Sequence, residues 1–238
     1  MAKSLSVKVN APELLEKQLK RREKREEYGI IALASSTEPY LPIEEKTGLT
    51  RKLLGIILKY KFPVEVATKS KLVLRDLDLL KDISKNAILP EDLKRKLRQG
   101  VIIAFSTSTL NEKLAKILEP GAPSSKERLE TMEIGKKEGF LAGMCYIPLL
   151  PFLSEMIKSA KDHGADFVLV GGLTLFGKGP VDCKALYYKF LEKHYPELVS
   201  KYRSLYRIFP FPSKKYQKEL DERVKSLCEK YGIKNRII

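Results

Sequence analysis

A parallel α/β barrel is the fold class this sequence predicts, and three observations predict it. Apolar runs of strand length recur at Gly29–Ala34, Val64–Ala67, Val101–Phe105, Phe140–Ile147 and Asp166–Val170. Stretches of helical periodicity separate these five runs, the pattern of βαβ units with right-handed crossovers. The runs also end alike. Ala34 leads into Ser35-Ser36-Thr37-Glu38, Ala67 into Thr68-Lys69-Ser70, and Phe105 into Ser106-Thr107-Ser108-Thr109. Small hydroxyl-bearing and charged residues at the C-terminal ends of parallel strands are what the working face of such a barrel needs.

Taken in order, residues 11–27 read as a helix, with Pro12 in its first turn and Leu14, Leu15 and Leu19 on one face. After the first strand, Leu53, Leu54, Ile56 and Ile57 give a helix over Thr50–Tyr60, and Pro63 fixes the turn into the second strand. Leu77, Leu79 and Leu80 give a helix over Asp76–Ile83, followed by a basic insert, Glu91–Arg98. Beyond the third strand come helices at Asn111–Leu118 and Ser124–Glu138, with Ser124 or Ser125 as the cap. The fourth strand stops at Pro148, Ser154–His163 is helical, and the fifth strand runs into Gly171-Gly172-Leu173-Thr174-Leu175. After Gly179 the alternation ends. Residues 180–206 and 213–230 read as helices joined by Phe209-Pro210-Phe211-Pro212. The expected division is therefore a barrel domain over 1–178 and a helical C-terminal extension over 179–238, packed on the barrel. The five strand ends, Ser35–Glu38, Thr68–Ser70, Ser106–Thr109, Ile147–Pro148 and Gly171–Thr174, are expected at one mouth.

The chain has 238 residues, 43% hydrophobic and 32% charged, a globular composition long enough for a proper core. No apolar run reaches the length of a membrane helix, and the N-terminus lacks a signal-peptide core, so no membrane partner and a cytoplasmic location are expected. Cys145, Cys183 and Cys228 are too far apart for a disulfide framework, a zinc knuckle or a cluster held by local spacing. Abundant Lys and Glu with no Trp is a thermophile-like balance. The net charge of +15 is uneven: residues 1–100 and 178–238 each carry +8, and the middle carries −1. Such flanks suit a polyanion, nucleic acid above all, or else a solubilising surface. In Lys17–Arg25 six basic residues alternate with acids nearby, as on a charged helix face. Seven of the eleven tyrosines lie in the tail, where they could pack on the barrel or stack on bases. No P-loop, GxGxxG, HExxH or GxSxG is present, and Gly171-Gly172 and Gly177-x-Gly179 make a weak phosphate cradle.

Six segments resemble, in order, a known family: Val9–Leu15, Thr37–Glu44, Val66–Ser70, Leu74–Leu80, Leu118–Ser124 and Arg128–Glu130. They are similar to radical S-adenosylmethionine (SAM) proteins related to spore photoproduct lyase, often described as DNA-repair-photolyase-like. The resemblance runs from about residue 7 to about 210. It implies a partial TIM-like (β/α)6 barrel, with SAM and a [4Fe–4S] cluster at the C-terminal ends of the strands. Family members hold the cluster on a Cys-x3-Cys-x2-Cys loop after the first barrel strand, upstream of the position of Val7–Pro12. This chain starts after that point, so the barrel is expected to be incomplete, lacking its first strand, and no cluster is expected in it. The edge at Gly29–Ala34 is then expected to be open unless Ser4–Val9 or a second chain covers it, a route to a homo-oligomer.

For SAM, the resemblance implies that Ser36, Thr37 and Glu38 meet the amino group. It implies Lys69 for the carboxylate, Ser106 for the ribose, Glu119 and Arg128 near the methionine moiety, and Ile147 and Pro148 against adenine. An ammonium wants carbonyls and a carboxylate, and a carboxylate is well met by an ammonium. Alternatively Thr37 and Glu38 cap the following turn, Lys69 lies at the surface, and Glu119–Arg128 is a structural pair. Cys145 is the one candidate for the family's hydrogen-returning cysteine. The enzyme reading is a radical SAM lyase-like protein acting on nucleic acid, seen without its cluster segment and inactive as this chain alone. The alternative is a cluster-free barrel that binds nucleic acid or an anionic ligand, and a plain TIM-like phosphate enzyme is the third. The nucleic-acid contacts expected from charge alone are Lys20, Arg21 and Arg22 with Arg203, Arg207, Lys214 and Lys215, binding without sequence preference.

Overall fold

In the computed structural model the chain is described at residues 6–33, 37–147, 153–177, 179 and 182–238. Among these, five strands form one parallel sheet: β1 (Ile31–Leu33), β2 (Val64–Thr68), β3 (Val101–Ser106), β4 (Leu141–Tyr146) and β5 (Phe167–Val170). Their spatial order is their order in the chain, and every neighbouring pair is parallel. Parallel neighbours put all C-terminal ends on one side. Register confirms this for the expected mouth: Thr68 stands opposite Phe105 and Ser106 opposite Cys145, so Lys69 and Ser106 share an end of the sheet.

The two faces of the sheet are built differently. Val64, Val66, Val101, Ile103, Phe105, Ala142, Met144 and Val168 lie in the main core, beneath the helices. These include α1 (Ala11–Glu23), α3 (Leu49–Lys59), α4 (Leu77–Asn86), α7 (Ser125–Lys137) and α8 (Leu153–Asp162). Each points an apolar stripe inward: Leu54 and Ile57 from α3, Leu80 and Ile83 from α4, Leu129 and Met132 from α7, Met156 and Ile157 from α8. Fully burying one such side chain stabilises the fold by about 1.5–3 kcal/mol, which is why helix positions followed apolar spacing so closely. The opposite face carries Glu65, Ala67, Ile102, Ala104, Gly143, Cys145 and Phe167, the alternate positions of the same strands. Its floor is filled by Leu89, Leu93 and Leu97 and by Ile237 and Ile238. The basic insert thus has an apolar purpose: around the short helix α5 (Glu91–Lys94) it delivers Leu93 and Leu97 under the sheet.

Two boundaries differ from expectation. Within the described residues the first strand is Ile31–Leu33, starting two residues after the expected Gly29, with Ala34 outside them, and the first helix stops at Glu23 rather than residue 27. Here the chain must reverse into β1, so Glu26 takes a positive φ of 56° and the Arg22 carbonyl accepts from Glu27 N at 3.0 Å. The capping residue of α7 is Ser124: its Oγ accepts from Glu127 N, and Glu127 returns a bond to Ser124 N. The sheet edges are unequal. Among the described residues nothing pairs with the outer edge of β1, and Ser4 of the expected cover lies outside them. At the other edge, Phe167 bridges Lys234 in parallel, and Val168 N donates to Lys234 O at 2.8 Å.

The tail packs in two places. Tyr187, Phe190 and Leu191 of α9 (Cys183–His194) join Tyr206 around Leu114 and Leu175, with Tyr202 of α10 (Val199–Leu205) alongside. The Tyr206 hydroxyl donates to Leu173 O at 2.7 Å. Tyr187 and Tyr206 are buried in this cluster, so these two rings are packing groups, and burial raises their hydroxyl pKa values. The last helix, α11 (Lys214–Tyr231), sends Leu220, Val224 and Cys228 into the main core. Among the described residues no helix is long and apolar enough to cross a membrane.

Candidate functional site

At the C-terminal ends of β1 and β2 lies a cavity of about 890 Å³, walled by Glu38, Tyr40, Lys69, Leu72, Leu118, Glu119 and the Pro120–Pro123 turn, among others. Its geometry begins with Glu38. One carboxylate oxygen accepts from Tyr40 N at 2.9 Å and from the Thr68 hydroxyl at 2.5 Å; the other accepts from Lys69 N at 2.8 Å. The carboxylate therefore staples the loop after β1 to the end of β2. Each carboxylate oxygen has two acceptor sites, and among the described residues Oε2 has one donor and one site left.

Lys69 continues the wall. Its Nζ donates to Glu119 Oε1 at 3.0 Å, where the Ser108 hydroxyl also donates at 2.8 Å. Lys69 lines the cavity and its side chain remains 34% exposed; an ammonium has three N–H donors, of which one is spent on Glu119 among the described residues. Glu119 Oε2 lies 2.5 Å from Arg128 Nη1, an ion-pair contact not aligned for a hydrogen bond. Burial opposes ionisation of Glu119, but the charges of Lys69 and Arg128 and the bonds from Lys69 and Ser108 outweigh it, holding the carboxyl below its usual range.

A brace of buried charge holds this wall. Asp76, fully buried, accepts from Tyr40 Oη at 3.2 Å, Arg51 Nη1 at 2.9 Å and Arg75 Nε at 2.9 Å. Arg75 also reaches Glu44 at 2.9 Å, and Arg51 takes Asp78 in a two-pronged grip at 2.9 and 2.6 Å. Burial and the neighbouring Asp76 raise the Tyr40 hydroxyl pKa far above normal, so the phenol stays a donor. Thr50 fixes the other side of the loop through Pro39 O at 2.5 Å. Tyr40 and Asp76 were not among the expected site residues, though both fall inside the recognised segments Thr37–Glu44 and Leu74–Leu80.

The other expected residues fall as follows. Glu38, Lys69 and Glu119 come together on one wall, with Thr37 just before Glu38. Arg128, 1% exposed, stands behind that wall, its guanidinium bonded to Pro123 O (3.0 and 2.8 Å) and Ser106 O (2.7 Å). Ser106 enters through its carbonyl, and neither residue lines the cavity. Ile147, 51% exposed, ends β4 and packs against Gly171. Ser36 and Pro148 lie outside the described residues. Cys145 sits on the sheet face opposite the main core, its thiol pushed up to about 12 by burial and by the charge of Glu65, so the sulfur is a neutral S–H. Burial raises Glu65 itself above the usual carboxyl range. The basic flanks are not one patch: Lys20, Arg21 and Arg22 belong to α1, packed on α3, while the tail packs at the β5 side. Arg22 is tied to Glu27 O and lies over the Phe62 ring, and Arg203 pairs with Glu192. Arg207, Lys214 and Lys215 are exposed around one turn.

Comparison with solved structures bears on the fold. A spore photoproduct lyase variant superposes with a TM-score of 0.60 over 93% of this chain and 64% of its own, at 15% identity. The fold is that of the radical SAM barrels. SuiB of Streptococcus suis, solved bound to S-adenosylmethionine, superposes at 0.53 over 85% of this chain and 43% of its own, at 13% identity. No protein-family model matches. An uncharacterised Mycobacterium tuberculosis protein is 28% identical over 234 residues, which are 95% of this chain and 64% of that protein. An uncharacterised protein of Acidianus two-tailed virus is 33% identical over 149 residues, 58% of this chain and 44% of its own. This chain thus spans less than two thirds of the length of these relatives.

The residues fit one of the two groups that radical SAM proteins carry. A zwitterionic amino-acid end would find the spare acceptor site of Glu38 for its ammonium and the free N–H groups of Lys69 for its carboxylate. For a cluster the fit fails. Among the described residues there is no group of three or more His, Cys, Asp or Glu side chains that could hold a metal. Cys145, Cys183 and Cys228 sit on β4, α9 and α11, and a [4Fe–4S] cluster is held by cysteine thiolates.

Proposed function

We propose that this chain is the SAM-binding part of a radical SAM-type protein similar to spore photoproduct lyase. The observation that carries this reading is the pairing, on one wall, of a carboxylate with a spare acceptor site and a half-free ammonium. In this reading Glu38 takes the ammonium of the methionine moiety and Lys69 its carboxylate, with Glu119 and Arg128 holding Lys69 in place. Thr68 and Tyr40 N fix Glu38, and Ile147, outside the cavity lining at the end of β4 and two strands along from β2, offers an apolar surface for adenine. SAM supplies radical chemistry where a reduced iron–sulfur cluster accompanies it; what this chain's residues contribute is binding and positioning. Calorimetric titration with S-adenosylmethionine and S-adenosylhomocysteine tests this. Both are expected to bind, and Lys69→Ala is expected to weaken both by about tenfold or more, the worth of one charge-assisted bond. Titrations in which neither compound binds, or in which Lys69→Ala changes nothing, would overturn it.

A second reading is a polyanion-binding module, favoured by one observation. From Leu198 to Lys218 the chain carries six basic residues and no acid, and Arg207, Lys214 and Lys215 are exposed around one turn.

A further inference from the structure

Between α10 and α11 the chain makes a turn that does what soluble surfaces rarely do. Ile208 is 72% exposed, Phe209 58% and Phe211 52%. Apolar rings exposed together mark contact surfaces. The rings of Phe209 and Phe211 stack on each other, 14° from parallel with centroids at 5.4 Å, and form one exposed aromatic pair. The turn is held in place: Leu175 N donates to Pro210 O at 2.6 Å, and Pro212 is buried, packed over Gly172. That places it at the C-terminal end of β5, on the same side of the sheet as the SAM wall. Arg207 precedes the rings, and Lys214 and Lys215 follow in the first turn of α11, which has no acidic residue.

We propose that Phe209 and Phe211 form a stacking platform for unpaired bases of a single-stranded nucleic acid, whose phosphates run along Arg207, Lys214 and Lys215. Resting on the polyanion reading, this inference adds the ligand's form and its contact residues. Aromatic faces beside cationic side chains are how sequence-tolerant single-strand binders work. Phosphate contacts supply salt-dependent affinity, while flat rings select bases not already stacked in a duplex. An anionic membrane would also accept apolar groups flanked by lysines, but the near-parallel ring pair and its place beside the strand ends favour a base.

The chain has no tryptophan, so Phe209→Trp introduces a single reporter at the platform. Oligothymidine is expected to quench its fluorescence, and a blunt hairpin duplex is not. In anisotropy titrations the double variant Phe209→Ala/Phe211→Ala should weaken single-strand binding about tenfold, with the slope of log affinity against log salt unchanged. Lys214→Glu/Lys215→Glu should lower both affinity and slope. Salt-dependent binding that is indifferent to the phenylalanine change overturns the platform and leaves the polyanion reading standing. No binding of any nucleic acid at low salt ends both. Loss of binding to phosphatidylserine vesicles on the phenylalanine change, with oligonucleotide binding intact, also overturns the platform and makes the turn a membrane contact. All four side chains are exposed, so circular dichroism and melting temperature should match the parent in every variant.

Discussion

At the residue scale, the most consequential group is Asp76, which stands behind the cavity wall rather than in it. Donors from three residues converge on it, Tyr40 in a loop, Arg51 on α3 and Arg75 in the 3-10 turn before α4. Without it the buried Tyr40 hydroxyl would lose its acceptor, while Arg51 and Arg75 would keep only Asp78 and Glu44 as charged partners. Asp76→Ala is expected to destabilise the protein by about 3 kcal/mol in urea unfolding. That lies at the low end for breaking a buried ion pair, because both arginines are partly exposed. Asp76→Asn keeps one acceptor and should cost less, and equal costs would show that the charge is not what matters. Sequence reading reached this residue only as part of a recognised segment. Its bond to Tyr40 spans 36 positions, and no local pattern reports so distant a partner. Cys145 makes the opposite case, since its place on a strand was readable and its chemistry was not. With its pKa near 12, about one thiol in ten thousand is ionised at pH 8. Iodoacetamide at pH 8 should therefore label exposed Cys183 and spare Cys145, as peptide mass spectrometry would show; equal labelling would mean the sheet face opens readily.

Elements were far more legible than sites. All five strands and most helices follow from periodicity, since period two and period 3.6 are imposed by the same burial that stabilises the fold. Errors cluster where burial does not decide. Among the described residues β1 has a single neighbour and starts two residues after its apolar run does, and the end of α1 was set by a chain reversal at Glu26. The insert Glu91–Arg98 was visible as charge, yet its structural contribution comes from Leu93 and Leu97, spaced for one helical turn. Within the wall of Glu38, Lys69 and Glu119, residue types and strand ends were readable, whereas the withdrawal of Arg128 behind Glu119 was not. An arginine's reach lets it satisfy carbonyls at two loops, Pro123 and Ser106, and only the fold brings those together.

For the whole molecule, the tail is part of the core. Leu220, Val224, Cys228 and Ile233 are each under 9% exposed within the same cluster as the sheet, and Lys234 pairs the edge of β5. Ending the chain at residue 212 should therefore leave an apolar face on α8 uncovered and an open edge on β5. The truncated protein is expected to be insoluble, or to bind a hydrophobic dye and lose its cooperative melt, in expression and calorimetry trials. A soluble fragment with the parent's melting temperature would make the tail dispensable to the barrel.

Strand order carries a consequence for how such a chain comes into being. Because β1 through β5 lie side by side in the order in which a ribosome would release them, each new βα unit can dock onto the one already outside the exit tunnel, with no strand held in waiting. The exception is the last step. The partner of β5 and the cover of α8 are encoded at Lys214–Lys234, so the nearly finished sheet stands uncovered while the 64 residues from Gly171 to Lys234 are still being added. During synthesis, that interval is when this molecule is most exposed to misassociation with its neighbours.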